Sequence, residues 1–154
     1  MGPAVSNIRA VWAQINDSAE LVECLLDPGS QIIAISEALF ERLRLAYNPE
    51  ITLPMSSANG GVDPSMGMAA NVPFHIPGSG ITFYLQMHIT KAASFDVLLG
   101  RPFDELARTC VETGSLKEHR LTITCPNTGT KARVPTFDRG CPPPSQAPTQ
   151  EQDF

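Results

Sequence analysis

The stretch Cys24-Leu25-Leu26-Asp27-Pro28-Gly29-Ser30-Gln31-Ile32 decides how the rest of the chain is read. Its apolar opening is too short for a helix and suits a buried strand. The chain then turns. An aspartate at the first turn position can accept a backbone N–H, proline fixes φ at the second, and glycine admits a positive φ at the third. A carboxylate is thereby left at the exit of an apolar strand. Alone, this is an ordinary turn. Two further pieces change its meaning by their order and spacing. Ser57-Ala58-Asn59-Gly60-Gly61 is a glycine hinge between two strand-like segments. Asp96-Val97-Leu98-Leu99-Gly100-Arg101-Pro102-Phe103 is an apolar strand that stops at glycine and enters a helix, with Pro102 suited to its first turn.

Period-two patterning dominates outside these pieces. Apolar runs from Ile8 to Ile15 and from Leu21 to Leu26, separated by Asn16-Asp17-Ser18, predict a hairpin. Val72, Phe74 and Ile76 alternate, Pro77-Gly78-Ser79-Gly80 turns the chain, and Ile81, Phe83, Leu85, Met87 and Ile89 continue the alternation. Phe95 to Leu99 reads as a short continuous strand. Leu121 and Ile123 lead into Pro126-Asn127-Thr128-Gly129, and Lys131 to Val134 returns as a late hairpin. Two short helices are expected. Ser36 caps one that places Leu39, Phe40 and Leu43 on one face, with Glu37 in its first turn. The other, after Gly100, turns Phe103, Leu106 and Ala107 inward. Many short strands with one or two short helices describe a small, mostly β domain folded back on itself. It is expected over residues 7–139, between a flexible stretch at 1–6 and a Pro/Gln-rich disordered tail or linker at 140–154.

Composition narrows the chemistry. A chain of 154 residues has room for one domain, and 42% apolar residues can fill its core. Charged residues make up 18%, below the usual quarter, so some apolar surface is expected to meet a partner. A formal net charge of -5 argues against nucleic acid as that partner. No apolar run is long enough to cross a membrane, and Met1-Gly2-Pro3-Ala4-Val5 has no signal-peptide character. Cys24, Cys110, Cys125 and Cys141 form no C-x-x-C pair, and Cys110, His119 and Cys125 match no standard zinc spacing. No metal and no cofactor are expected. The thiols read as reduced, in an intracellular, cytoplasmic protein, with Cys24 a small buried hydrophobe. His75, His88 and His119 fall on separate segments, away from any nucleophile motif, and read as surface or strand-face residues.

Taken together, the pieces resemble the retropepsins, and more narrowly the aspartic protease domains of Ty3/Gypsy-type retrotransposon polyproteins. The resemblance runs from Val22 to Pro135. It is carried by Cys24 to Ile32, Ser57-Ala58-Asn59-Gly60, Gln86-Met87-His88-Ile89, Asp96 to Phe103, and Pro126-Asn127-Thr128-Gly129. The family pattern is an apolar strand, Asp-Thr/Ser-Gly, a flap hairpin, then two apolar residues and glycine before a helix. The resemblance implies an all-β fold, a closed β-barrel with one or two short helices, that works as a homodimer. It implies that Asp27 is catalytic and that Leu98-Leu99-Gly100 lies beneath it. Gly29 would present its carbonyl to an extended peptide or polyprotein substrate, Ser30 and Gln31 would line the subsites, and Asn59, Gly60 and Gly61 would form the flap tip. The implied chemistry is hydrolysis by a water held between two carboxylates that share one proton.

Of the two Asp-x-Gly stretches, Asp27-Pro28-Gly29 and Asp138-Arg139-Gly140, only the first follows the Cys24-Leu25-Leu26 apolar run that the family pattern requires. Asp17, Asp63, Asp104 and Asp138 sit in turn, flap or helix-start settings suited to solvated charges and caps, and Asp96, inside a strand pattern, is expected to pair with a basic residue. One catalytic aspartate per chain requires a symmetric dimer to complete the pair. The sequence departs from the family at Pro28, which stands where the family has Thr or Ser and supplies neither a hydroxyl nor a backbone N–H. That departure keeps a second reading open, a catalytically weak or inactive retropepsin-like module for dimerisation or peptide binding. An unrelated small β-barrel that binds a ligand is the third.

Overall fold

The structure is a computed structural model that describes residues 8–56, 62–91, 93–112 and 119–143. The expected flap tip (Asn59, Gly60, Gly61), the stretch 1–6 and most of the tail lie outside the described residues.

Apolar alternation builds the first hairpin, β1 (Arg9–Ile15) and β2 (Val22–Leu26), paired antiparallel from Arg9↔Leu26 to Ala13↔Val22. The turn after β1 places Asn16 and Asp17 at φ 55° and 60°, with Ser18 N–H donating to Ile15 O at 3.1 Å. Two successive left-handed residues match the twist of paired strands, and Asn and Asp tolerate that region better than most side chains. The chain continues through β3 (Ile33–Ser36), α1 (Glu37–Arg42), the short strands β4 (Pro54–Ser56) and β5 (Val62–Pro64), then β6 (Gly67–His75) and β7 (Thr82–Thr90). It finishes with β8 (Val97–Leu99), α2 (Arg101–Ala107), β9 (Cys110–Glu112), β10 (His119–Thr124) and β11 (Lys131–Asp138).

Six strands close into a barrel in the order β1-β2-β8-β3-β7-β6, because β1 pairs with β2 along most of its length and with β6 at its end. Closure leaves no free edge inside the ring. From the start of β1 a second antiparallel layer extends through β11 and β10 to β9. The Arg9 guanidinium fastens that junction, donating to Asp138 Oδ1 and to Thr136 O, both at 2.6 Å. β4 and β5 form a separate two-stranded sheet.

The barrel interior is filled by the alternating side chains of β6 and β7 and by one face of α2. Phe74, Phe83 and Phe103 are fully buried, with the Phe103 ring 5.3 Å from Phe74 and 5.5 Å from Phe83. Both expected helices form. Ser36 Oγ accepts Leu39 N–H at 3.1 Å as the cap of α1, and Leu39 and Phe40 are buried. Pro102 lies in the first turn of α2, with Phe103 and Ala107 inside. Among the described residues, no helix is long and apolar enough to cross a membrane.

Some elements depart from the sequence expectations. β3 and β9 were not expected. β3 is buried on every residue, so its apolar run carries no alternation to distinguish a strand from the entry to α1. The strand expected from Phe95 starts at Val97, where pairing to both Cys24 and Ile35 begins. Asp96 gives only its carbonyl, to Ser36 N–H at 2.9 Å; its side chain is exposed and makes no ion pair among the described residues.

Candidate active site

The position of β8 explains the Asp27 loop. β8 lies between β2, with which it is parallel, and β3, with which it is antiparallel. The residues joining β2 to β3 must therefore cross the end of β8, and they cross at Gly100. A Cβ built on Gly100 would lie 2.1 Å from Ile32 O and 2.6 Å from Ser30 O. Only glycine admits backbone that close. Gly100 has ordinary extended backbone, φ -87°, so space rather than torsion demands it.

Backbone hydrogen bonds pin the loop to this shelf. Asp27 N–H donates to Leu99 O at 3.0 Å, Arg101 N–H to Ser30 O at 2.8 Å, and Ser30 N–H to Asp27 O at 3.0 Å. The expected placement of Leu98-Leu99-Gly100 beneath Asp27 is what the structure has. Asp27 Oδ1 accepts Gly29 N–H at 3.1 Å, which orients the carboxylate at the mouth of the turn. The turn differs from expectation in one respect. Gly29 is not among the positive-φ glycines, so Pro28 and Gly29 occupy the centre of a turn in which the third residue need not be glycine for torsional reasons. A Cβ there would meet Asp27 Oδ1 at 3.4 Å, ordinary contact.

The other site residues of the loop divide into two groups. Ser30 is half-buried, and its polar groups serve the loop: its hydroxyl lies 3.2 Å from Ile32 O and 3.3 Å from Ile32 N, besides the backbone bonds above. Pro28, Gly29 and Gln31 are exposed, and Asp27 is half-buried. A carboxylate at this exposed turn can accept from and polarise a water when ionised, and can donate to a peptide carbonyl oxygen when protonated. The other aspartates are separate from it: Asp104 Oδ1 accepts the Thr109 hydroxyl at 2.7 Å, Asp138 pairs with Arg9, and Asp63 lies on β5. Cys24, two strand residues before Leu26, is fully buried; burial first, then the Asp96 and Glu23 carboxylates, push its thiol well above the ordinary range. It is packing, as expected.

Sequence reasoning missed a second polar feature. His88 on β7 is buried, and its Nδ1 lies 3.2 Å from Ser65 Oγ, which is buried too. The two are 23 residues apart in the chain, with nothing in their local sequences to link them. The reading of His88 as a strand-face residue holds, and burial replaces the surface alternative. Ser65 also closes the base of the β4–β5 hairpin: its N–H donates to Leu53 O at 2.8 Å and its Oγ accepts Leu53 N–H at 3.2 Å.

The sequence matches the family described as aspartyl protease over residues 11–103, a span that contains the Asp27 loop, the β4–β5 hairpin, β8 and Gly100. No curated protein sequence matches. Among solved structures, the retroviral protease-like domain of Ddi1 from Leishmania major is similar, with a TM-score of 0.61 at 18% identity, over 84% of this chain and 95% of that one. At that identity the likeness is one of fold.

Proposed function

Because the chain belongs to the aspartyl protease family, we propose that it is an endopeptidase whose catalytic pair is two copies of Asp27, one from each subunit of a symmetric homodimer. The observation that carries this reading is the Asp27 loop: a half-buried carboxylate held at a strand exit by backbone bonds to Leu99 and by the Gly29 N–H.

The Asp27 turn supplies one carboxylate, Asp138 being paired with Arg9, and the chemistry needs two. Carboxylates about 3 Å apart cannot both be ionised and share a proton. The ionised member takes a proton from the water between them as that water attacks the scissile carbonyl. The protonated member hydrogen-bonds the carbonyl oxygen and then gives its proton to the leaving amine. The pair titrates as one unit. Gly29 and Gln31, exposed beside Asp27, are placed in this reading to receive an extended peptide by strand addition, with the β4–β5 hairpin as cover. The substrate class we assign is a retroelement polyprotein of the Ty3/Gypsy type, from the residue-level resemblance.

Pro28 favours one alternative, a peptide-binding or dimerisation module with little turnover, because the hydroxyl network that braces the turns in this family has no donor here. Symmetric loss removes both partners of each bond and leaves no orphan, so its cost is small, and the peptidase reading stands ahead. The test is cleavage of a peptide library by the purified protein and by Asp27→Asn. Pepstatin-sensitive cleavage that disappears in the variant, with the dimer retained in sedimentation, supports the reading. Cleavage that survives Asp27→Asn overturns it, and a wild-type dimer with no turnover favours the binding module.

A further inference from the structure

Among the described residues, two contacts tie the base of the β4–β5 hairpin to β7. Met66 N–H donates to Ile89 O at 2.8 Å, and Ser65 Oγ meets His88 Nδ1 at 3.2 Å. Ser65 therefore has two tasks, closing the hairpin onto Leu53 and tying that closure to β7. We propose that Ser65 and His88 form a positioning clasp that seats the hairpin while His88 is neutral and releases it when His88 is protonated. The proposal rests on the peptidase reading and adds to it an acid-side loss of substrate affinity.

Hydrogen-bond counting supplies the mechanism. Ser65 Oγ accepts Leu53 N–H, which leaves its hydroxyl proton for the unprotonated Nδ1 of a neutral imidazole. An imidazolium carries N–H on both ring nitrogens. Nδ1 would then have to donate to Ser65 Oγ, and the serine proton would lose its one acceptor in a buried place. The oxygen's two lone pairs can hold both donors, so the clasp is weakened by the unpaired serine proton and by the buried cation beside it, which favours release of the hairpin base. Among the described residues, no charged group contributes to the His88 shift. β3 sets Ala34 opposite His88 and β6 sets Met68 there, neither ionisable. Glu50 before β4, Asp63 on β5 and Glu37 at the start of α1 are not among the causes of its shift. Burial alone lowers the His88 pKa from the ordinary histidine value. The direction follows from linkage. A histidine depressed in the folded state is neutral and stabilising at neutral pH, and that contribution is lost as pH falls below the unfolded value toward the folded one.

The test combines cleavage kinetics against pH with amide exchange at Leu53, for the wild type, His88→Asn and Ser65→Ala. An Asn side-chain oxygen can accept the Ser65 hydroxyl without titrating, so His88→Asn keeps a clasp that acid does not open. In the wild type KM should rise about fivefold on the acid side, the worth of one ordinary hydrogen bond, and Leu53 exchange, corrected for intrinsic rate, should accelerate by a similar factor. Neither change should appear in His88→Asn. Ser65→Ala, which leaves the barrel histidine in place, should show the raised KM and fast exchange at every pH. Identical acid profiles in wild type and His88→Asn, by both readouts, overturn the clasp. So does normal KM with protected Leu53 in Ser65→Ala. If Asp27→Asn cleaves as the wild type does, the peptidase reading fails, while Leu53 exchange still decides the clasp.

Discussion

The Asp27 loop and the β4–β5 hairpin both leave the barrel and return to it, yet they are fastened by different means. The loop is held by three backbone bonds and by contact with Gly100, none of which titrates. The hairpin closes through Ser65, whose hydroxyl leans on a buried histidine. Under the proposed peptidase reading, the group that transfers protons would be fixed by bonds indifferent to pH, and the segment that admits and releases a peptide by a clasp that responds to it.

Substitutions can break this contrast from either side. Phe103→Ala removes the ring that seats α2 against Phe74 and Phe83. It should cost about 3–5 kcal/mol in denaturant unfolding and loosen the Asp27 loop before the hairpin. Gly100→Ala drives a methyl into the carbonyls of Ile32 and Ser30. It should cost about 2–3 kcal/mol and abolish turnover, because the loop must move. On the hairpin side, the unfolding free energy should fall as pH drops below about 6.5 and the depressed His88 of the folded state resists its proton. The same titration on His88→Asn should lack that component. Pro28→Thr is expected to have the smallest effect, tightening the dimer by about 1 kcal/mol per restored bond in equilibrium sedimentation.

Much of the loop side was legible in the sequence, because its constraints are local. An apolar run ending in Asp-Pro-Gly, and Leu-Leu-Gly-Arg-Pro at a strand-to-helix junction, each state their own geometry. Gly100 was marked by its place at that junction, although only the crossing of β8 reveals the 2.1 Å approach that requires it. The alternation from Ile81 to Ile89 gave β7 as a strand, and Ser36 gave α1 its start. The hairpin side was hidden for the opposite reason. Ser65 and His88 meet only because β7 passes the hairpin base in the folded barrel, and neither residue type signals burial by itself. β3 escaped notice because burial on both faces erases the period-two signal. The positive φ expected at Gly29 failed because a turn with Pro at its second position also accepts a negative φ at its third.

A crystal structure of the assembled protein, reading the separation of the two Asp27 carboxylates, tests the central claim most directly. The account predicts a symmetric pair with oxygens about 3 Å apart across the two-fold axis, close enough to share one proton. A protein that stays monomeric at crystallisation concentration, or copies that associate with these carboxylates facing bulk solvent, would contradict it.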